Sequence, residues 1–300
     1  MSKKSVDIES DEKSIGNKGD VISFDQSWKT QKESSYNHWT RATPENQIQL
    51  AFQMHWELFK EYLNPLYGKK CVEVGCGRGT ISSYFAQNGY DCTLLDYSLS
   101  AVHIAREIFN NNGHDANFVC GDANHLPFAN DSFDVVVSIG LLEHFEDIQT
   151  PVAEQIRILM PGGLFLGYIV PERPDNIQKY FNWVNSFLKF IYKTYKHPDK
   201  KSIAKKDIFR NTLGSKHYMS VLDDLPVTDV TVLGMYPLPM VSHSPEFPFT
   251  LLPAPLELVL TTIFRLFLGF RRIVLRRNPW ACHEKIGQAF LVLCYKEGVK

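Results

Sequence analysis

Three alternating glycines that follow an acid-bearing strand are the residues of this chain with the clearest chemical meaning. Residues 72–80 read VEVGCGRGT, and the patterns on either side predict a buried strand before the turn and a helix after it. Gly75, Gly77 and Gly79 let the chain reverse sharply, let main chain touch a ligand and leave the helix N-terminus open. This pattern predicts a turn that cradles a nucleotide-like ligand.

The spacing of these glycines differs from the fingerprint of dinucleotide-binding proteins. That fingerprint is GxGxxG, whereas here the third glycine comes one position early and Thr80 stands where the fingerprint has glycine. Purely structural glycine turns are also common. The turn therefore needs support from residues elsewhere in the chain.

Acidic residues at the ends of later apolar runs give that support. Asp96 closes a second run about twenty residues after the turn, where a carboxylate can bind the ribose diol of a ligand in a doubly wound sheet. Asp122 follows the run 117–120, and the continuously apolar run 133–139 predicts a central strand. The alternative for both acids is an ordinary turn or N-cap role.

In order and spacing, these signals resemble the class I S-adenosylmethionine-dependent methyltransferases over residues 71–170. The similarity includes Gly121-Asp122-Ala123, Leu126-Pro127-Phe128 and a Pro161-Gly162-Gly163 turn before a fifth strand. It implies S-adenosylmethionine as the cofactor, with Asp122 bonded to the adenine amino group. The residues expected to bind the cofactor are Glu73, Gly75, Cys76, Gly77, Gly79, Asp96, Tyr97, Asp122, Ala123 and Ser138.

Glu73 and Cys76 each have a second interpretation. Glu73 is either a hydrogen-bonded structural acid beneath the loop or a partner of the methionine end of the cofactor. The structural role is favoured because an acid inside an apolar strand must be satisfied locally. Cys76 is most simply a small residue that lines the loop.

His144 is the predicted catalytic residue. It follows the fourth strand, and histidine accepts a proton near neutral pH. Leu142-Glu143-His144-Phe145 is similar to the Glu-His pair of ubiquinone-biosynthesis O-methyltransferases, in which a nearby earlier acid is associated with magnesium. Gly140 and its neighbours stand at that earlier position here, so no metal site is predicted. The alternative for His144 is a cap or packing role.

The predicted fold class is α/β, with a doubly wound, mostly parallel seven-stranded sheet of order 3-2-1-4-5-7-6 whose last strand is antiparallel. The order follows from the resemblance. Runs 229–235 and 287–295 predict the two final strands, and helical spacing over 44–63, with a cap at Thr43-Pro44-Glu45, predicts a helix before the sheet. A disordered tail is expected over 1–30 and a single methyltransferase domain over 31–300.

Two insertions are expected to carry substrate information. Residues 171–219 mix aromatic and basic side chains and are predicted to form a lid. Residues 237–285 contain the apolar run 255–277, which has a polar stripe and arginine pairs at its end. This run is too short for a comfortable membrane span, and it is either an interfacial membrane helix, a pocket wall or a dimer contact.

Composition favours a cytoplasmic protein without a general attraction to nucleic acid. The net charge is -1, and the six cysteines contain no C-x-x-C pair, as expected of reduced thiols. The first residues contain no apolar core of a signal peptide. The chain is therefore expected to be cytoplasmic, with peripheral membrane contact through 255–277 as an open alternative.

The predicted function is O-methylation of a small or lipid-like molecule. No Asn/Asp-Pro-Pro-Tyr/Phe tetrad follows the fourth strand, which disfavours methylation of amino groups of adenine or glutamine. The alternatives are a non-catalytic S-adenosylmethionine-binding module, methylation of protein or RNA through the basic insertion, and a nicotinamide dehydrogenase.

Overall fold

The central feature of the computed structural model is a mixed sheet of eight strands. The structure describes residues 38–64, 68–172, 176–195, 209–241 and 252–298, together with Asp25 and Trp28. Apart from those two residues, the predicted tail over 1–30 lies outside the described residues. The strands are β1 Lys70–Val74, β2 Asp91–Asp96, β3 Asn117–Cys120, β4 Phe133–Ile139, β5 Leu159–Ile169, β6 Val227–Met235, β7 Ala281–Cys282 and β8 Ala289–Lys296.

The strand order is β3-β2-β1-β4-β5-β8-β6-β7. Strands β1 to β5 are parallel, and β8 runs antiparallel to both β5 and β6. The doubly wound α/β sheet and the relative order of the seven predicted strands are thereby confirmed. The predicted number of strands was wrong: β7 adds an eighth by pairing with Gly234 and Met235. A two-residue strand has no periodicity in the sequence that could reveal it.

Helices cover both faces of the sheet. Within the described residues they are α1 Gln47–Phe59, α2 Thr80–Gln87, α3 Leu99–Asn111, α4 Gln149–Ile158, α5 Asn182–Tyr195, α6 Ser215–Asp223 and α7 Ala254–Leu275, with 3₁₀ turns at Leu142–His144 and Ile177–Tyr180. One core cluster joins α1, α2, α3 and Leu268 of α7 to one face of the sheet. A second cluster joins α4 and α6 to the other face.

The alternation of side chains along the central strands produces these two cores. Val135 and Val137 of β4 point into the first cluster, whereas Val136 between them points into the second. Successive side chains of a strand point to opposite faces, so a strand that is buried on both faces is apolar throughout. The continuous apolar run of β4 therefore places it in the sheet centre, as predicted.

Two local expectations differ from the structure. Helix α1 begins at Gln47, with the side chain of Asn46 as its N-cap, and not at the predicted cap over residues 43–45. The Pro161-Gly162-Gly163 segment is a bulge within β5, because Phe133 pairs with Leu159 while Val135 pairs with Leu164. β5 has more residues than β4 between these two pairs, so the additional residues bulge out while the strand continues on both sides.

Candidate active site

The glycine turn joins the carboxyl end of β1 to α2 and is held from the neighbouring strand. The backbone N–H groups of Gly75 and Cys76 both donate to the Leu95 carbonyl oxygen, at 2.8 and 2.9 Å. Gly75 and Gly77 adopt left-handed φ values of 73° and 50°, a region that favours glycine. Strand β2 thus fixes the turn at the carboxyl edge of the sheet, where ligands bind in folds of this type.

Asp96 ties the end of β2 to the same turn. Its Oδ2 accepts a hydrogen bond from Gly77 N at 2.9 Å, and its Oδ1 accepts one from Ser98 N at 2.9 Å. Burial raises the pKa of the Asp96 carboxyl, and the hydrogen bonds from these N–H groups act in the opposite direction. The carboxylate is therefore oriented before any ligand arrives, and each oxygen has a further lone pair for a hydroxyl donor.

Glu73 lies beneath the turn and connects β1 to α2. Its Oε2 accepts hydrogen bonds from the backbone N and the hydroxyl of Ser82, at 3.2 and 2.5 Å. Burial raises the pKa of Glu73 to about 8, although both bonds from Ser82 favour the ionised form. These contacts are those of a structural acid that braces the loop.

Gly79 and Cys76 line the inner side of the turn. A Cβ at Gly79 would lie 2.4 Å from Leu94 Cδ2 and 2.9 Å from a ring carbon of Phe109. The absence of a side chain at this position therefore allows α2 to approach the sheet closely. Cys76 is buried in the first core cluster. The structure places both residues in the protein interior beside the loop.

Asp122, Ala123 and Tyr97 lie at the carboxyl ends of β2 and β3. Gly121 N donates to the Asp96 carbonyl oxygen at 3.0 Å, so the β3 end adjoins the β2 end. Asp122 Oδ1 accepts from the backbone N and side chain of Asn124, Ala123 is buried in the second core cluster, and the ring of Tyr97 is half exposed. This arrangement leaves Tyr97 as the aromatic side chain at the rim.

Two residues that the sequence analysis missed lie against the turn. A Cβ at Gly77 would approach within 3.1 Å of the indole of Trp28, so this ring covers the glycine. Asp25 Oδ1 accepts a hydrogen bond from Ser98 Oγ at 2.7 Å and raises the pKa of Asp96 further. Both residues belong to the predicted tail over 1–30, and no local sequence signal connects them to a turn about fifty residues away.

His144 ends the 3₁₀ turn that follows β4, and its ring is fixed by a main-chain contact. Its Nδ1 lies 2.6 Å from the Phe209 carbonyl oxygen. Because a carbonyl oxygen can only accept, Nδ1 carries the proton, and Nε2 is the nitrogen of the neutral ring that can take one up. His144 N donates to Leu141 O, and Leu141 lies 2.8 Å from the Cβ position of Gly75. His144 and the glycine turn thus border the same edge of the sheet.

Glu143 is a second titratable group in this turn that the sequence analysis did not assign to the site. Burial raises its pKa to about 7, with the charge of Arg210 acting in the opposite direction. Its Oε2 is buried and has no hydrogen-bond partner among the described residues. Asn211 holds the turn, since its N donates to Glu143 O and its side chain donates to Phe145 O. Glu143 is therefore a buried carboxyl that is poised to gain or lose a proton near neutral pH.

Ser138 lies next to this turn on β4, paired with Gly167 of β5. Its hydroxyl is buried and has no partner within the part of the chain that the structure describes. In the same described part, no group of three or more His, Cys, Asp or Glu side chains is arranged to hold a metal ion.

The residues present fit S-adenosylmethionine. Gly75 and Gly77 expose main chain in the turn, where a Cβ would meet Leu141 or Trp28, and Asp96 presents an oriented carboxylate beside it. Ser138 Oγ and Glu143 Oε2 are buried polar atoms at the same edge whose hydrogen bonds are unmade in the described residues. Buried polar groups of this kind are usually satisfied, and a bound ligand is one way to satisfy them.

Comparison with known proteins places a family match over this region. Residues 72–167 match the methyltransferase domain family. A demethylmenaquinone methyltransferase of Renibacterium salmoninarum is 36% identical over 97 residues, which are 32% of this chain and 39% of that protein. A phthiotriol/phenolphthiotriol dimycocerosates methyltransferase of Mycobacterium ulcerans is 36% identical over 113 residues, 37% of this chain and 40% of that protein. The chain therefore spans about two-fifths of these relatives.

Solved structures share the fold at low sequence identity. A protein described under the conversion of a disulfide bond into a thioacetal group during echinomycin biosynthesis has a TM-score of 0.54 at 15% identity, covering 93% of this chain and 94% of that one. The [4+2]-cyclase SpnF has a TM-score of 0.51 at 16% identity, covering 95% of both chains. At these identities the likeness concerns the fold alone. Residues 72–167 thus match a methyltransferase domain, within a fold that these solved structures share.

Proposed function

We propose that this protein transfers a methyl group from S-adenosylmethionine to an oxygen atom of a small or lipid-like acceptor. The observation that carries the proposal is the position of His144, whose Nδ1 is fixed by Phe209 O at the same sheet edge as the glycine turn. A ring oriented in this way presents Nε2 as a proton acceptor next to the expected cofactor position.

The residues proposed to hold the cofactor surround the carboxyl ends of β1 to β4. The main chain of Gly75 to Gly77 would contact the methionine part, Asp96 would accept the ribose hydroxyl protons, and Asp122 would bind the adenine amino group. Tyr97, Ala123 and Ser138 would line the same groove, while Glu73, Cys76 and Gly79 would support it from beneath. When bound, the cofactor supplies an activated sulfonium methyl group.

The chain itself would contribute orientation, exclusion of water and proton removal. An acceptor hydroxyl that forms a bond to the methyl carbon must lose its proton, and His144 Nε2 is proposed to take it. Glu143 is a second proton acceptor at this edge, because its pKa of about 7 lets it hold or release a proton near neutral pH. The pH profile of methyl transfer should differ according to which of these two groups accepts the proton.

The nature of the acceptor is inferred from relatives and from the surface around the site. The two relatives named above are methyltransferases of demethylmenaquinone and of phthiotriol dimycocerosates, according to their names. A lipid-like acceptor is therefore proposed for this chain too. A cytoplasmic location is also proposed, supported by six cysteines that are all free thiols.

Two measurements test the proposal. Calorimetry with S-adenosylmethionine and, separately, with NAD should show binding of the first only. Radiolabelled methyl transfer to quinols, polyketide lipids, protein and RNA should then show product in the lipid fraction. Cofactor binding without transfer to any acceptor would favour a non-catalytic module. Product in protein or RNA would favour methylation of those macromolecules through the basic insertion over 171–219. The transfer assay is essential because a [4+2]-cyclase shares this fold, so the fold does not establish which reaction is catalysed.

A further inference from the structure

Helix α7 buries two polar side chains and exposes most of its apolar side chains. Glu257 and Thr261 are 3% and 0% exposed, and Glu257 Oε1 accepts from both N and Nε2 of Gln47. Leu266, Phe270 and Ile273 on the opposite side are 71%, 66% and 76% exposed. The exposed apolar side chains of α7 are Leu256, Leu258, Val259, Ile263, Leu266, Phe267, Phe270, Ile273 and Val274. Among the three alternatives left open for this run, exposure of the apolar side fits a membrane or partner contact better than a buried pocket wall.

Helix α5 exposes a second apolar face, which is aromatic. Trp183, Phe187 and Phe190 are all exposed and lie three or four residues apart, so they share one side of the helix. The preceding 3₁₀ turn adds the exposed ring of Tyr180. A monomeric soluble protein rarely leaves so many large apolar side chains together in water.

The two faces belong to one region of the molecule. Asn185 of α5 donates to Met240 O, and the next residue, Val241, exchanges hydrogen bonds with Gln47, which in turn bonds Glu257 of α7. This connecting segment follows the end of β6. Since β6 is antiparallel to β8, which is antiparallel to β5, β6 ends at the same carboxyl edge as the cofactor turn.

The exposed charges of α7 and of the two residues after it are of one sign. Glu257 is the sole acid of α7, and it is buried, whereas Arg265, Arg272, Arg276 and Arg277 are exposed. Arg271 is used internally, since it donates to the carbonyl oxygens of Pro279 and Ala281. An apolar face bordered by cations complements an anionic lipid surface.

We propose that the exposed apolar faces of α5 and α7, here called the docking surface, bind an anionic phospholipid membrane with both helices lying in its interface. Interfacial binding suits α7, which is 22 residues long and about 33 Å in length. None of the helices in the described ranges combines the length and hydrophobicity needed to cross a bilayer.

A second copy of the chain is the competing occupant. The 3-4 spacing of Leu256, Val259, Ile263 and Leu266 would suit a helix partner. However, a second copy would bring arginines and no exposed acid from α7, so it offers no charge complement. Membrane docking is independent of methyl transfer, whereas the delivery of an acceptor from the membrane rests on the function proposed above.

Vesicle co-sedimentation tests the docking surface. The full chain should pellet with vesicles of phosphatidylcholine and phosphatidylserine and bind pure phosphatidylcholine more weakly. Leu266→Glu with Phe270→Glu should abolish binding to both, because charges would replace the apolar contact. These exposed sites tolerate substitution, and Met160→Glu, on an exposed residue at the opposite end of β5, should bind like the wild type.

The arginines are tested separately. Replacement of Arg272, Arg276 and Arg277 by Ala should lower partitioning onto anionic vesicles about tenfold or more, and added salt should have the same effect on the wild type. Removal of three charges elsewhere on the molecule, with Lys69→Ala, Lys70→Ala and Arg106→Ala, should have little effect.

Three results would overturn membrane docking. They are a wild-type chain that stays in solution, an apolar-face variant that still pellets, and a wild-type dimer that the apolar-face variant dissociates. Binding of S-adenosylmethionine is measured without vesicles, so failure of the cofactor site and failure of the docking surface are distinguishable.

Discussion

At the residue scale, the site depends on a few positions where a backbone conformation or a single hydrogen bond determines what a side chain can do. Gly77 adopts a left-handed φ, and a side chain at this position would crowd the indole of Trp28, which lies over the position of the missing Cβ. His144 needs Phe209 O to hold its proton on Nδ1. Each requirement can be tested with one substitution.

Gly77→Ala should weaken S-adenosylmethionine binding about tenfold or more, because the added methyl group would crowd Trp28 and disturb the left-handed turn proposed to hold the cofactor. Gly113→Ala is the matched control, since its φ is 69° and no atom lies within 4 Å of the added Cβ. Both changes should cost about 1 kcal/mol of stability from left-handed strain. Calorimetry and urea unfolding measure the two effects, and equal affinities in both variants would remove Gly77 from the binding site.

His144→Ala should slow methyl transfer about a hundredfold with little change in cofactor affinity, because the proton acceptor is lost. His103→Ala, on an exposed position of α3, should leave the rate unchanged. A parallel fall in rate and melting temperature would instead indicate a packing role for His144.

The pH profile separates His144 from Glu143. Burial raises the pKa of Glu143 to about 7, so a reaction that uses its carboxylate should speed up as pH rises through that value. If His144 is the base, Glu143→Gln should keep a rising limb. If that limb disappears in Glu143→Gln, the proton acceptor is Glu143.

At the element scale, α4 holds the loop that follows Asp122. The Arg157 guanidinium donates to the carbonyl oxygens of Leu126 and Phe128, at 3.0 and 2.8 Å, and to both carboxylate oxygens of Glu154. Glu154 Oε2 also accepts from Leu126 N at 2.8 Å. One planar cation therefore connects a helix to main chain on the adjoining loop, a geometry that lysine cannot reproduce.

Arg157→Lys should lower the free energy of unfolding by about 1 to 2 kcal/mol, because a single ammonium leaves several of these acceptors unpaired. Lys60→Ala is the control, since it breaks an exposed i,i+3 pair with Glu57 and should cost less than about 0.5 kcal/mol. Urea denaturation measures both. Equal losses would show that the contacts of Arg157 with main chain contribute nothing.

At the scale of the whole molecule, buried titratable groups determine how stability varies with pH. Burial lowers the pKa of His38 and His55 to about 3, with Arg78 adding to the effect at His38. The folded state therefore binds fewer protons than the unfolded state below pH 6.5, and stability falls as the solution becomes more acidic. Burial raises the pKa of Glu73 and Glu143 above 4.5, so stability falls as pH rises from there to about 8 and about 7.

These opposing windows predict a broad stability maximum between about pH 4.5 and 6.5. Glu73→Gln removes one buried charge while its amide oxygen can still accept from Ser82. This variant should therefore lose less stability than the wild type between about pH 6.5 and 8. Thermal unfolding across the pH range measures the difference, and parallel curves for the two proteins would exclude Glu73 as the source.

The sequence by itself determined the features that a few neighbouring residues encode. The glycine turn, the acids at the ends of β2 and β3, the apolar run of β4 and a helix over most of 255–277 are written in local spacing and composition. The resemblance added the strand order. These expectations held because strand and helix periods, and the conformational freedom of glycine, act within one or two turns of chain.

Tertiary structure alone decided which face of each element is buried and which residues that are far apart in the sequence come into contact. The contact of His144 with Phe209 spans 65 residues, and that of Gln47 with Glu257 spans 210. The second contact turns Glu257 and Thr261 of α7 inward and its apolar face outward, which periodicity could not show because a pattern identifies two faces without saying which one is buried. Folding closes the long loops between these residues and brings the partners together. Packing of side chains in the folded molecule then determines which face of the helix is buried.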